Sequence, residues 1–303
     1  MDLRGKNIAV TGGAGFIGSH TARALVAAGA TVAIIDRLQP EKQMAVPEGA
    51  KLYSIDLTSE KLENVLKEIA PDTIFHFASH LLPSKNFNAV KDAESVLMAA
   101  NLLESARKSG VSKFVFASSG AVYGAGVPVP TPETQPINPE TPYALSKYVA
   151  ESYLRFYRTE HGLPYVVLRY PNVYGPGQTA GALADYIKTL RNGLQAEIRG
   201  DGEKTRDYIY IDDVVAANLC ALQVADNTPD PIFNVGTGTE TSLNLLYRTI
   251  AELLGKEAEP IYVENGPGEQ LRYSLDPSKF EKLTGWKAKV TLREGLQKVL
   301  DAS

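Results

Sequence analysis

The chain has 303 residues, enough for two domains or one large α/β unit with additions. Apolar residues make up 44%, which can supply a full core, and the net charge of −4 without a basic cluster argues against a nucleic-acid partner. No apolar run approaches the ~18 residues of a membrane span and no signal peptide precedes the first strand pattern, so a soluble, cytoplasmic protein is expected. Cys220 is the only cysteine, so no internal disulfide can form. It lies in "VVAANLCAL", where a buried thiol is the expectation.

The first half alternates strand and helix. "NIAVTG" (7–12) reads as a buried strand and "GSHTARALVAAGA" (18–30) as a helix. "TVAIID" (31–36) and "KLYSIDL" (51–57) are the next strands. "TSEKLENVLKEI" (58–69) is a helix with Thr58 or Ser59 as N-cap. "DTIFHFAS" (72–79) is a strand, a long helix covers about 92–109, and "KFVFASS" (113–119) is a strand. A second long helix runs from Pro142 to about His161, followed by the strand "PYVVLRY" (164–170). This alternation argues a Rossmann-like, doubly wound parallel sheet. Beyond about residue 171 the pattern loosens into helices at 182–193, 213–225 and 243–254 and strands at 208–211 and 232–236. The expected division is a dinucleotide-binding domain over 1–170 and a smaller α/β substrate domain over 171–303, whose segments can interleave.

"TGGAGFIG" (11–18) joins the first strand to the first helix. Gly12, Gly15 and Gly18 permit the tight turn, the close approach of a pyrophosphate and close helix packing, while the helix N-terminus offers free N–H groups to phosphate. Asp36 ends the second strand, where a carboxylate accepts both ribose hydroxyls and disfavours a 2′-phosphate. NAD is therefore expected over NADP, although Arg37 beside it is able to pair with that phosphate. Asp56, placed at the end of the third strand, either bonds the adenine amino group or caps a turn.

"TPYALSK" (141–147) places Thr141 at an N-cap, Pro142 in the first helical position and Tyr143 in the first turn. Lys147, at i+4, shares its face. A free tyrosine titrates near ~10, and an ammonium close by and a helix N-terminus both favour the phenolate. The pair makes sense if Tyr143 must gain and lose a proton near neutral pH. Ser119, at the carboxyl edge of the sheet, is placed to hold a substrate hydroxyl or relay its proton. Ser118 is its rival.

These stretches, with "LRYPNVYGPGQ", "GDGEKTRDYIYIDDV", "FNVGTG" and "LDPSKFEKLTGW", carry a resemblance over essentially the whole chain. The sequence resembles the extended short-chain dehydrogenase/reductase family and within it the nucleotide-sugar epimerases, most closely those of the UDP-glucose 4-epimerase kind. The resemblance implies that Ser119, Tyr143 and Lys147 are catalytic. It implies that Phe16, Ile17, Leu57, Phe77, Ala78, Ser79 and Tyr170 help to complete the NAD site, with no metal involved. Asn172 matches an asparagine that holds the sugar nucleotide, and Arg206 an arginine that binds its diphosphate. In the related 4,6-dehydratases the serine is followed by an Asp–Glu pair. Here Gly120 and Ala121 stand there and cannot move a proton, so transient oxidation and re-reduction at C4 of a UDP-hexose is the expected chemistry.

The chain departs from the family pattern at Ser95, often asparagine, and at Gly266, often a diphosphate-binding arginine that Arg272 is placed to replace. The segment "HLLPSKNF" (80–87) is also unusual, and His80 is a candidate substrate contact. Tyr273 falls where similar epimerases gate the sugar pocket. Apolar residues around the two long helices (Val96, Leu97, Leu102, Leu103, Leu145, Tyr148, Val149, Tyr153 and Phe156) exceed what one sheet can cover and call for a further cover. Similar proteins pair these helices, so the resemblance implies a homodimer. The competing readings are an NAD-dependent dehydrogenase of another alcohol and a non-catalytic NAD-binding protein.

Overall fold

Short runs of β-branched and aromatic residues ending in glycine or a polar residue set the strands of this chain. The structure, a computed structural model, describes residues 1–37, 46–80, 88–257, 259–264 and 271–302. The first half holds β1 (Asn7–Thr11), α1 (Phe16–Ala27), β2 (Thr31–Asp36), β3 (Ala50–Ser54), α2 (Leu62–Ile69), β4 (Thr73–His76), α3 (Ala89–Lys108), β5 (Lys113–Ser119) and α4 (Pro142–His161). Then follow β6 (Tyr165–Tyr170), β7 (Asn172–Tyr174), α5 (Ala182–Arg191), β8 (Glu197–Arg199), β9 (Thr205–Arg206), β10 (Tyr208–Tyr210) and α6 (Ile211–Ala221). The chain closes with β11 (Ile232–Asn234), β12 (Thr241–Ser242), α7 (Leu243–Leu253), β13 (Ile261–Val263), α8 (Ser278–Thr284) and α9 (Leu292–Asp301).

Seven strands form one sheet in the order β11-β6-β5-β4-β1-β2-β3, and the ladders from β5 to β3 run parallel. The chain winds outward from β1 to β3 and then returns to pair β4 with β1. That reversal is the switch point at which doubly wound sheets bind ligands. One core lies under α2, α3 and α4, where Leu66, Met98, Leu102, Leu103 and Leu154 pack on Ile74, Phe114 and Phe116.

Two compact units divide the chain. One comprises Met1–Val122, Asn138–Arg169 and Val215–Phe233, and the other Tyr123–Ile137, Tyr170–Val214 and Asn234–Ser303. Relative to a single boundary at residue 170, two stretches change sides. The stretch from Val215 joins the first unit because β11 extends the main sheet beside β6: Val167 N–H donates to Pro231 O at 2.8 Å, and Asn218 Nδ2 donates to Thr21 Oγ1 at 2.9 Å. The stretch from Tyr123 joins the second because Thr131 N–H donates to Ser274 O and Asp276 N–H to Thr131 O, at 2.9 and 3.0 Å.

Element ends differ where side chains compete for the backbone. The helix expected at 58–69 begins only at Leu62, with Lys61 as an N-cap that makes no side-chain bond. The reason is a turn: Asp56 Oδ1 accepts from both Thr58 N–H and Thr58 Oγ1, at 2.9 and 2.8 Å. The strand before it stops at Ser54, so Asp56 lies past its end. By contrast α4 starts as read, with the Thr141 hydroxyl accepting from Ala144 N–H, Pro142 in the first turn and Gly162 at φ 68° closing the helix.

Candidate active site

The site is built in the first unit, at the carboxyl ends of β1, β4 and β5. Gly12, at φ +65°, makes the turn out of β1. A Cβ there would stand 2.6 Å from Ala78 N, and one on Gly18 only 2.2 Å from Gly12 O. The first glycine thus lets the loop pass the end of β4, and the third lets α1 press against the loop. Gly15 caps α1 without a side chain, so the first N–H groups of the helix are left for an anion. This is a cradle shaped for a pyrophosphate, and the fit to a dinucleotide is good.

A cleft of ≈ 380 Å³ runs from this loop across the sheet edge. Gly12, Gly15, Asp36, Arg37, Asp56, Leu57, Phe77, Ala78 and Ser79 are among the residues that line it, with His80 and Met98. Asp36 Oδ2 accepts from Ala14 N–H at 3.1 Å, which ties the acid to the glycine loop. Burial pushes the Asp36 carboxyl up from its ordinary value, against the hydrogen bond from Ala14. Asp56 is held below its ordinary value, chiefly by the bond from Thr58 N–H. Phe16 and Ile17 occupy the first turn of α1 and are half-buried.

Tyr143 and Lys147 sit one turn apart on α4, facing the end of β5. The Lys147 ammonium lies 5.8 Å from the Tyr143 ring centroid and donates to Ala117 O at 2.9 Å. Ser119 lies near enough to the Tyr143 hydroxyl to draw its titration down, against the effect of burial. The rivalry with Ser118 resolves on geometry: Ser118 is buried and its hydroxyl donates to Glu151 Oε1 at 2.6 Å. Glu151 is in turn fully buried and paired with Arg169, at 3.0 Å from Nε and 2.6 Å from Nη2. Ser118 therefore belongs to a buried polar network, and Ser119 faces the tyrosine.

Burial dominates the electrostatics of the pair. Burial pulls Lys147 down to about 8, with Glu151 opposing. Burial also pushes the Tyr143 phenol up; Ser119 pulls the other way and Asp92 adds to the rise. Burial is thus the largest influence on the Tyr143 phenol in the protein alone. Asp92, buried in the first turn of α3, carried no signal in the sequence beyond its position. Glu151 was visible as the acid one turn past Lys147 in "SKYVAE", and its partner Arg169 as the charge inside an apolar strand.

The second unit carries the residues matched to nucleotide-sugar binding. Asn172 is exposed on β7, and its N–H donates to Asp207 O at 3.0 Å. Arg206 is half-buried on β9, with Nη1 donating to Thr205 O at 2.7 Å. Tyr273 is buried, and its N–H donates to Thr205 Oγ1 at 3.3 Å. Arg272 is exposed, but Glu240 engages its guanidinium, with Nε 3.0 Å from Oε1. Tyr170 is buried, which pushes its phenol up. Asp207 organises this unit by accepting from Thr237 N–H, Thr237 Oγ1, Gly238 N–H and Leu275 N–H. It links "TRDYIYI" to "FNVGTG", and a Cβ on Gly236 would meet Asp207 Oδ2 at 2.6 Å. Gly266 and residues 81–87 lie outside the described residues. Ser95 Oγ accepts from His80 N–H at 3.0 Å, so it fastens the turn after β4 to α3. Among the described residues no group of His, Cys, Asp or Glu could hold a metal ion, and no helix is long and apolar enough to cross a membrane.

Comparison with known proteins shows the family to which the chain is similar. The model of the NAD dependent epimerase/dehydratase family matches residues 8–236. A UDP-glucose 4-epimerase of Mycolicibacterium smegmatis is 36% identical over 304 residues, covering 96% of each chain. A dTDP-D-glucose 4,6-dehydratase of Mus musculus is 30% identical over 98% of this chain and 88% of its own. Among solved structures, the UDP-glucose 4-epimerase of Thermotoga maritima with UDP-glucose has a TM-score of 0.92 at 38% identity, covering 98% of each chain. That of Thermus thermophilus in complex with NAD has a TM-score of 0.88 at 37% identity, over 97% of this chain and 98% of its own.

Proposed function

The chain belongs to the NAD dependent epimerase/dehydratase family, and we propose that within it the protein is a nucleotide-sugar 4-epimerase of the UDP-glucose/UDP-galactose type. The observation that carries this reading is the Ser119–Tyr143–Lys147 group, followed at once by Gly120 and Ala121 instead of an acid pair. Tyr143 takes up one proton as the phenolate and returns it as the phenol. Ser119 holds that hydroxyl in place. Lys147 supplies the positive charge that a phenolate needs beside it. Bound NAD supplies a reversible acceptor for the hydride of C4, held by the glycine loop and Asp36. Elimination needs a second acid and base at the sugar, and neither Gly120 nor Ala121 carries a titratable side chain.

On this reading the first unit binds NAD and the second holds the nucleotide sugar through Asn172 and Arg206, with Tyr273 limiting the size of the sugar. A cytoplasmic location goes with nucleotide-sugar chemistry and with the single free thiol of Cys220. The protein pairs with a second copy through α3 and α4. Leu102 and Leu103 of α3 are buried, whereas Leu97, Leu145, Tyr153 and Phe156 are exposed at 56%, 49%, 39% and 53%. Side chains of that size on two adjacent helices call for a partner surface.

The test is incubation with a panel of nucleotide sugars, with products read by NMR. Interconversion of UDP-glucose and UDP-galactose without net NADH supports the reading. Stoichiometric NADH, or a 4-keto-6-deoxy product, overturns it.

A further inference from the structure

Arg37 is the group in the cleft best suited to admit a 2′-phosphate, because a guanidinium beside the ribose acid pairs readily with phosphate oxygens. The structure shows this guanidinium already engaged. Its Nη1 lies 3.7 Å from Asp56 Oδ2 and 4.0 Å from Glu94 Oε1. Its Nη2 donates to His80 Nδ1 at 3.3 Å. Arginine only donates, so Nδ1 accepts and the ring proton sits on Nε2. That Nε2 lies 2.9 Å from Glu94 Oε2 but off the line of a hydrogen bond, so the contact is electrostatic.

Glu94 is anchored from its own helix, with Lys91 Nζ donating to its Oε2 at 2.9 Å. The His80 ring is buried, and its backbone is fixed to Ser95 on the same helix. Counting Asp36, Asp56 and Glu94 against Arg37 and Lys91, the neighbourhood holds one carboxylate more than it has cations.

We propose that Glu94 is a positioning residue for cofactor choice: with Asp56 and the His80 ring it holds the Arg37 guanidinium on the protein's own acceptors and so denies it to the 2′-phosphate of NADP. Asp36 excludes that phosphate by contact. Glu94 removes the cation that would otherwise compensate. The inference rests on the dinucleotide reading of the cleft and is independent of which sugar is the substrate.

The experiment is calorimetric titration of the full chain, stripped of nucleotide with charcoal, with NAD and with NADP. In the otherwise unchanged protein, Arg37→Ala is expected to weaken NADP by less than about threefold, because the guanidinium is not available to it. Glu94→Gln is expected to tighten NADP by about tenfold and to change NAD by less than about threefold, the size of effect that one nearby charge gives at a half-exposed site. The gain must vanish in the Arg37→Ala, Glu94→Gln double variant. An Arg37→Ala loss of tenfold or more for NADP, or an unchanged NADP/NAD ratio in a Glu94→Gln protein that still binds NAD, overturns the proposal. Should the unsubstituted protein bind neither nucleotide, the dinucleotide reading fails first and this inference with it.

Discussion

Replacing Ser118 and Ser119 separately by alanine should give opposite phenotypes. The Ser118 hydroxyl is buried and donates to an ionised acceptor, Glu151, at 2.6 Å. Its removal leaves that carboxylate, already inside the fold, with Arg169 alone. A hydrogen bond to a charged group contributes about 1.5–3 kcal/mol, so Ser118→Ala should lose that much in urea unfolding. For a chain of this size the melting temperature should fall by about 2–5 °C, with turnover largely kept. Ser119 is half-buried, accepts from Ala121 N–H at 3.2 Å and lowers the Tyr143 phenol against burial. Ser119→Ala should change stability by less than about 1 kcal/mol, as a half-buried neutral hydrogen bond does. It should lower kcat by about 10²–10⁴, the usual worth of a positioned proton-transfer group. The assay pairs urea denaturation with nucleotide-sugar turnover by NMR. Loss of turnover with intact stability in Ser118→Ala, or the reverse pattern in Ser119→Ala, would refute the assignment.

His76, the last residue of β4, is buried and bonded to Thr11 Oγ1 of β1 at 2.7 Å; burial pulls it from 6.5 to about 3. Between those values the unfolded chain binds a proton that the folded chain does not, so stability falls as pH drops from about 6.5 toward 3, by up to about 4–5 kcal/mol. His76→Gln should flatten that acid limb in urea titrations. An unchanged slope would contradict the argument. Leu97→Arg with Phe156→Glu should convert a dimer into a monomer in sedimentation, and a native protein that is already monomeric at micromolar concentration removes the pairing proposal. Tyr273→Ser should narrow the preference for plain over N-acetylated UDP-hexoses, whereas a native preference for the N-acetylated pair would defeat the size argument.

The parts of the fold most legible in the sequence were those in which local chemistry and long-range packing agree. Thr141, Pro142 and Gly162 specify both ends of α4 by themselves, and the glycine loop follows from contacts that only a missing Cβ allows. The start of α2 lies later than read because Asp56, for which a turn cap was one of the two readings, accepts from Thr58 and holds those residues in a turn. The placement of β11 was not readable locally: three apolar residues do not say which sheet they join, and the answer lies in a bond from Val167 to Pro231. The two serines of "FASSG" could not be told apart until Glu151 and Arg169 claimed one of them. The direction of the Tyr143 shift was also hidden, since spacing displays charges and does not display desolvation.

The central claim, that C4 is oxidised and then reduced in place, is tested most directly by supplying UDP-glucose deuterated at C4 and reading the product by NMR. The account predicts UDP-galactose that keeps the deuterium at C4, with no label in solvent and none formed by Tyr143→Phe protein that still binds NAD. Epimerised product that has lost its C4 label to water would contradict it.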